Sequence, residues 1–158
     1  MTMSAPSMEP VTILLVEDNL QDIEMTRHAF AKGRLKNELV VVRNGEEALD
    51  YLYRRGKFKT PGSASRPGLI LLDLHLPKVR GLDVLRQIKT DPDLRAIPAV
   101  VLTVSQRGQD IEESYALGAS TYIQKPVLLD NFLPVVQSVK DYWVVIATLP
   151  QGQGAGSV

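Results

Sequence analysis

The sequence predicts an α/β protein built on a doubly wound sheet of five parallel strands. Short apolar runs recur five times, and segments with helical spacing of apolar residues separate them. The first four runs are nearly continuous rather than alternating, which is typical of strands that helices cover on both faces. A repeated strand–helix order requires right-handed crossovers, so we expect helices on both sides of the sheet.

The apolar runs and the segments between them define the predicted elements. The strands are predicted at residues 11–16, 39–42, 69–72, 99–102 and 121–123. The first four helices are predicted at residues 19–32, 44–55, 82–90 and 110–117. Gly33 and Gly118 supply helix-ending signals. Asp130 is predicted to be the N-cap of a last helix that runs to roughly residue 148.

Composition excludes several classes of protein. The 158 residues are enough for one domain, and 44% hydrophobic residues supply one core. Lysine plus arginine equals aspartate plus glutamate at 18 each, which argues against a dedicated nucleic-acid-binding protein. Cysteine is absent, so neither disulfides nor thiolate metal sites form. The sequence shows no secretory signal and no membrane-spanning run, and we expect a cytoplasmic protein.

The expected organisation is one domain at residues 11–149, between a flexible N-terminus at 1–10 and a flexible tail at 150–158. No second domain is expected after it, and therefore no DNA-binding output. Residues 54–67 form an unusually long connection with five basic residues and no acidic one. We expect a solvated loop there, and a contact with a partner is the less favoured alternative.

Acidic residues and one lysine fall at the ends of three predicted strands. Glu17 and Asp18 follow the first run, Asp73 follows the third, and Lys125 lies just after the fifth. The carboxyl ends of parallel strands share one edge of a sheet, where ligands bind in open α/β folds. Carboxylates that meet there repel by about 4 kcal/mol per pair at an effective dielectric of roughly 20. An ionised cluster therefore needs a cation, and Mg²⁺ is the natural candidate.

Carboxylates, a metal ion, a hydroxyl and a lysine together can transfer phosphoryl groups. Asp73 is predicted to be the nucleophile, because the third strand is central in most five-stranded orders. Glu17 and Asp18 are adjacent and suit metal binding better than attack. Thr103, after the fourth run, and Lys125 would hold the remaining phosphoryl oxygens.

These residues resemble the receiver domain of two-component response regulators. The resemblance covers about residues 11–147 and rests on five motifs that occur in order at strand ends. The motifs are Glu17-Asp18, Asp73-Leu74-His75-Leu76-Pro77, Thr103-Val104-Ser105, Gly118-Ala119-Ser120-Thr121-Tyr122 and Lys125-Pro126. The resemblance implies a flavodoxin-like sheet of order 2-1-3-4-5 and a transfer of phosphate to Asp73 from a histidine of a sensor kinase.

The resemblance also implies a metal site. Asp18 and Asp73 would bind Mg²⁺ directly, together with the main-chain carbonyl of His75. Glu17 stands where an aspartate is often found and would act through water.

The remaining roles concern the phosphate. Thr103 and Lys125 would hold it, Tyr122 would be the aromatic switch, and the bond between Lys125 and Pro126 would be cis. His75 and Ser105 occupy the positions that tune the lifetime of the phosphate in the family, and they leave that lifetime open here.

A narrower resemblance points to small single-domain regulators that often serve bacterial phytochrome kinases. It rests on the loop before residue 69 and on three further stretches: Leu71 to Lys78, Ser114 to Ala119, and Asp141-Tyr142-Trp143 with Leu149-Pro150. It implies a bacteriophytochrome histidine kinase as the partner.

The predicted last helix is apolar around most of its girth, which suggests burial on more than one side. One stripe contains Phe132, Val136, Val139, Trp143 and Ile146, and off it lie Val135, Tyr142, Val144 and Val145. We expect a symmetric homodimer through this helix and its neighbours. The alternative is a helix covered by the chain's own C-terminal tail.

Two other functions fit parts of the pattern. A metal-dependent aspartyl-phosphate phosphohydrolase would use Asp73 too, but it needs a general acid where His75 stands. A flavin- or nucleotide-binding module would need a phosphate loop after the first strand, where Glu17 and Asp18 would repel phosphate. Taken singly, Asp18 could cap a helix and Tyr122 could be core, and it is their joint pattern that favours a receiver.

Overall fold

A computed structural model describes residues 11–104 and 108–137 of the chain. Its strands are β1 (Thr12–Val16), β2 (Leu39–Val42), β3 (Pro67–Asp73), β4 (Ala99–Thr103) and β5 (Thr121–Gln124). Its helices are α1 (Leu20–Lys32), α2 (Gly45–Tyr53), α3 (Gly81–Thr90), α4 (Gly108–Ala116) and α5 (Leu129–Gln137), with a short 3₁₀ helix at Gly56–Phe58. None of these helices is long and apolar enough to cross a bilayer.

The sheet is parallel and has the order β2-β1-β3-β4-β5, which confirms the predicted fold class and strand order. Strand β3 is therefore central, and Asp73 is its last residue. At their C-terminal ends, the observed β3 and β4 each extend one residue further than predicted. Asp73 and Thr103 therefore end their strands rather than follow them.

Two apolar layers cover the sheet, because alternate strand residues point to opposite faces. Leu14 packs with α2 and α3 on one face, and Ile13 packs with α1 and α5 on the other. Phe30 of α1 and Phe132 of α5 stack with ring centroids 5.0 Å apart on that second face. All five residues of β1 are buried, which explains why the four after Thr12 are all apolar.

Asparagine side chains begin the first two helices. The backbone N–H of Asp22 donates to Oδ1 of Asn19 at 2.9 Å, and that of Glu47 donates to Oδ1 of Asn44 at 2.8 Å. Each bond satisfies a backbone donor that lacks a partner within its helix. The start of α1 is thus locked directly after the acidic pair at the end of β1.

The prediction that Asp130 caps the last helix is wrong. Helix α5 begins at Leu129, so Asp130 is its second residue. The backbone N–H of Leu128 instead donates to Oδ1 of Asn131 at 2.8 Å, and Nδ2 of Asn131 donates to the carbonyl of Pro126 at 3.0 Å. The Asn131 side chain satisfies polar groups on both sides of the turn, and the helix starts two residues earlier than a cap at Asp130 would place it.

The C-terminal part of the predicted last helix lies outside the described residues. This includes residues 139, 143 and 146 of its apolar stripe, the proposed tail at 150–158 and the N-terminus at 1–10.

The connection at residues 54–66 is mostly exposed, as expected for a solvated loop, and two of its basic residues also pair with α2. Its Lys57 Nζ lies 2.8 Å from Oε2 of Glu47, and its Arg55 Nε lies 2.9 Å from Oδ1 of Asp50. Both acids belong to α2. The basic residues therefore bind the neighbouring helix, a pairing that composition alone did not reveal.

Candidate functional site

The strand ends bring the acidic side chains together at one edge of the sheet. Glu17 and Asp18 follow β1, and Asp73 ends the adjacent strand β3. Carboxylate oxygens of these three residues lie within 4.8 Å of one another. Glu17 and Asp73 are buried, and Asp18 is partly exposed. Parallel pairing of β1 with β3 explains this convergence, because both strands end at the same edge of the sheet.

Lys125 reaches this cluster from the edge strand β5. Because β4 lies between β5 and β3, Lys125 and Asp73 follow strands that are roughly two spacings of about 4.8 Å apart. Its Nζ lies 2.9 Å from Oε1 of Glu17 and 3.2 Å from Oδ2 of Asp73. The Lys125 side chain is only 8% exposed, and its bond to Pro126 is cis, as expected.

Burial and mutual repulsion control the charges here. Burial raises the pKa of Glu17 to about 7; the hydrogen bond from Lys125 opposes this rise, and the charge of Asp73 adds to it. Burial alone would lower the pKa of Lys125, but its hydrogen bonds to Glu17 and Asp22 and the charge of Asp73 raise it overall. Lys125 is therefore a permanent cation.

The raised pKa of Glu17 has burial as its main cause, and the charge of Asp73 adds to it. Three neighbouring carboxylates with one ammonium leave an excess of negative charge. A divalent cation would remove it. The donor set contains only carboxylate oxygens, which suits hard ions such as Mg²⁺ and Mn²⁺. The residues present thus fit the metal that the sequence predicts.

The chain turns tightly behind Asp73. The backbone N–H of His75 donates to Oδ1 of Asp73 at 3.1 Å, whereas the His75 side chain is exposed. Gly81 packs against this turn so closely that a Cβ there would lie 2.3 Å from the carbonyl oxygen of Asp73. The main chain of His75, rather than its imidazole, therefore borders the acidic cluster.

Thr103 and Tyr122 lie on neighbouring strands. Thr103 is fully buried, and its carbonyl accepts the backbone N–H of Lys125 at 2.8 Å. The register pairs Thr103 with Gln124, which places Thr103 and Tyr122 on the same face of the sheet. Tyr122 is partly buried against the apolar layer beneath α2 and α3. Ser105 lies outside the described residues.

Sequence reasoning missed two residues at this edge. Asp22, the third residue of α1, places Oδ2 3.0 Å from Nζ of Lys125. Arg43, just after β2, donates from Nη2 to the carbonyl of Asp18 at 2.8 Å. The available signal for Asp22 was an acid in the first turn of the helix that follows the acidic pair.

Comparisons with known proteins agree with this arrangement. Residues 13–137 match the family described as the response regulator receiver domain. The response regulator Rcp1 of Synechocystis sp. is 38% identical over 148 residues, which cover 94% of this chain and 99% of that protein. Among solved structures, the bacteriophytochrome response regulator RtBRR is 44% identical with a TM-score of 0.80, covering 90% of this chain and 83% of that one.

Two further structures have the same fold. The phosphorylated cyanobacterial phytochrome response regulator RcpA is 43% identical with a TM-score of 0.71, over 90% of this chain and 99% of that one. Rcp1 in its Mn²⁺-bound form also has a TM-score of 0.71, over 90% and 100%. Given the matched segment, the strand order and the acidic edge with its lysine, this chain belongs to the response regulator receiver domain family and is related to the phytochrome response regulators.

Proposed function

We propose that this chain accepts a phosphoryl group on Asp73 from a phosphohistidine of a sensor kinase, in the cytoplasm. A carboxylate oxygen of Asp73 would attack phosphorus, the new O–P bond would form, and the N–P bond to the imidazole would break. The observation that carries this proposal is the placement of Asp73 at the edge of the central strand, 3.2 Å from the Lys125 ammonium. A buried carboxylate with an adjacent cation is positioned to receive an anionic group.

The site residues would divide the work. Asp18, Asp73 and the main-chain carbonyl of His75 would hold Mg²⁺, and Glu17 would act through water. When bound, the ion would neutralise phosphoryl oxygens as they approach the carboxylates. The carboxylate cluster supports this role, and a relative has been described with Mn²⁺ bound.

Thr103 and Lys125 would hold the phosphoryl oxygens that the metal leaves. Lys125 would exchange one carboxylate contact for a phosphoryl contact, which keeps its buried charge paired. Movement of Thr103 towards the new group would open space on its face of the sheet, and Tyr122 on that face would rotate inward. The position of Thr103 and Tyr122 on one face supports their role as a switch that would change the surface near β4 and β5.

The proposed partner is a bacteriophytochrome histidine kinase. Several relatives carry phytochrome in their names, and RcpA has been described in a phosphorylated form. A groove of about 630 Å³ between α1 and α5 offers a place for the kinase helices. Exposed Leu20, Met25 and Leu128 line it. It borders the site, because Leu20 lies two residues before Asp22 and Leu128 three residues after Lys125.

Charge placed in the groove tests this docking. Leu20 is 63% exposed, so Leu20→Asp should leave the fold intact. It should slow labelling by phosphorylated kinase, relative to labelling by acetyl phosphate, by more than about tenfold. Tyr115→Asp, on exposed α4, is the matched control. An unchanged ratio for Leu20→Asp would place the kinase elsewhere.

We also propose a homodimer through the last helix and its neighbours. Phe132 is fully buried inside the protomer, whereas Leu133 and Val135 are only partly buried. An apolar helix with incompletely covered side chains supports contact with a second copy. Sedimentation at micromolar concentration, with and without a phosphate analogue, tests this proposal; a monomer in both states rejects it.

Replacement of Asp73 tests the main proposal. Asp73→Asn removes the nucleophile and should abolish labelling by acetyl phosphate in Mg²⁺ and by phosphorylated kinase. Wild-type protein should take up close to one phosphoryl group per chain. Continued labelling of Asp73→Asn would move the acceptor to another residue, and steady phosphate release from many monoesters would favour a phosphohydrolase instead.

A further inference from the structure

Lys125 has one carboxylate partner that does not belong to the carboxylate cluster of Glu17, Asp18 and Asp73. Within the described residues, its Nζ lies within 4.0 Å of carboxylates of Glu17, Asp73 and Asp22. Glu17 and Asp73 belong to the group that could hold a metal, and Asp22 does not. Asp22 approaches the ammonium from α1, with Oδ2 at 3.0 Å.

We infer that Asp22 is a positioning residue that retains the Lys125 ammonium when a divalent cation binds Asp73 directly and Glu17 through water. This inference rests on the proposed function and extends it. A cation held by Asp73, with Glu17 acting through water, would compete with Lys125 for these two carboxylates and repel its ammonium. A buried ammonium that loses its partners is costly, so metal binding needs another acceptor for it. Asp22 already occupies that position.

Local structure holds Asp22 where this exchange requires it. Its backbone N–H donates to the Asn19 side chain at 2.9 Å. Its carbonyl accepts the hydroxyl of buried Thr26 at 2.9 Å. The backbone N–H and the carbonyl of Asp22 are therefore both hydrogen-bonded to side chains of α1 or its cap. The Asp22 carboxylate can hold Lys125 without reorganisation of the helix.

Loss of Asp22 should weaken Mg²⁺ binding for a defined reason. Without it, Lys125 retains only acceptors that the metal also requires, and the two cations compete for them. Removal of a side chain behind the metal ligands commonly lowers metal affinity by 10–100-fold, and we expect about tenfold here. The low end of this range is appropriate because the Asp22 side chain is 25% exposed.

The experiment compares Asp22→Ala with Asp83→Ala. Asp83 is the third residue of α3, as Asp22 is of α1, and its contacts are with Arg80 and Arg86 at the surface. Both variants remove one charge at the same helix position, but only Asp22→Ala removes a partner of Lys125. Calorimetric titration with Mg²⁺ should show Kd raised about tenfold for Asp22→Ala and close to wild type for Asp83→Ala.

A second measurement separates positioning from general damage. Asp22→Glu restores a carboxylate and should recover most of the Mg²⁺ affinity. The labelling defect of Asp22→Ala with acetyl phosphate should be large at limiting Mg²⁺ and shrink as Mg²⁺ is raised. Thermal unfolding in a chelator verifies that each variant is folded.

Two results would overturn the inference while the proposed function stands. One is equal Kd values for Asp22→Ala and Asp83→Ala, and the other is a labelling defect that does not depend on Mg²⁺ concentration. A wild-type protein that neither binds Mg²⁺ nor becomes labelled would instead overturn the proposed function, and this inference with it.

Discussion

Two groups of ion pairs in this molecule use the same residue types in opposite ways. At the carboxyl edge of the sheet, Lys125 is 8% exposed and meets buried Glu17 and Asp73. Along α2, Lys57 is 63% exposed and pairs with Glu47, and a neighbouring arginine pairs with a second acid of the same helix. The first group has more acids than bases in a dry environment, and the second is balanced and open to water.

The difference separates the proposed phosphoacceptor site from a surface contact. Exposed, balanced pairs are screened by water and contribute little, so the pairs along α2 add little to the stability of the fold. A buried excess of carboxylate is unfavourable unless a cation arrives. Burial is the main cause of the raised pKa of Glu17, and the charge of Asp73 adds to it. Charge imbalance and burial together, rather than the number of ion pairs, distinguish the candidate site.

The largest expected effect follows from removal of the lysine in each group. Lys125→Met should cost about 3–5 kcal/mol of metal-free stability at neutral pH, because it leaves buried carboxylates without their cation. Lys57→Met should cost no more than about 1 kcal/mol. Urea unfolding measures both, and added Mg²⁺ should restore part of the loss only for Lys125→Met. Equal losses would show that the buried lysine has no special role.

Two glycines extend the comparison to the backbone. A Cβ on Gly81 would lie 2.3 Å from the carbonyl oxygen of Asp73, and backbone there cannot yield. Gly81→Ala should therefore cost about 3 kcal/mol or more. Gly62, in the basic connection, has φ +83 and open space around it, so Gly62→Ala should cost only about 1 kcal/mol of backbone strain. Similar values from chemical denaturation would contradict the rigid turn behind Asp73.

The smallest expected effect is a difference in pH dependence. Burial raises the pKa of Glu17 from 4.5 to about 7, so the folded metal-free protein binds this proton more tightly than the unfolded chain. Stability should therefore fall as pH rises through that window. The hydrogen bond from Lys57 lowers the pKa of Glu47, whose contribution is instead lost as pH falls below its ordinary value.

Melting temperatures between about pH 5 and pH 7.5 test these signs. Glu17→Gln should flatten the decline over this range, whereas Glu47→Gln should leave it unchanged. Mg²⁺ should stabilise the wild-type protein more at the upper end, where Glu17 is ionised. A wild-type stability that rises across this window without metal would show that Glu17 is not the dominant titrating group.

Local patterns were enough to predict the elements and the acidic edge. Strand β1 could be predicted because residues 13–16 are buried between two helical layers and are all apolar. Asp73 could be predicted because a charged residue directly after an apolar run marks the end of a strand. The cap of α5 could not be predicted, since Asn131 binds the carbonyl of Pro126 and the N–H of Leu128 in a turn whose shape depends on β5. Sequence spacing alone favoured Asp130.

The chain's own sequence determined which segments are strands, which are helices, and which residues stand at the strand ends, because those properties depend on burial pattern and near neighbours. Only the tertiary structure decided that Lys125 pairs with Asp22 as well as with the carboxylate cluster, and that Lys57 pairs with an acid of α2. Asp22 and Lys125 are 103 residues apart in the chain. Such contacts depend on strand order and crossover geometry, and these are set by the packing of all the elements together.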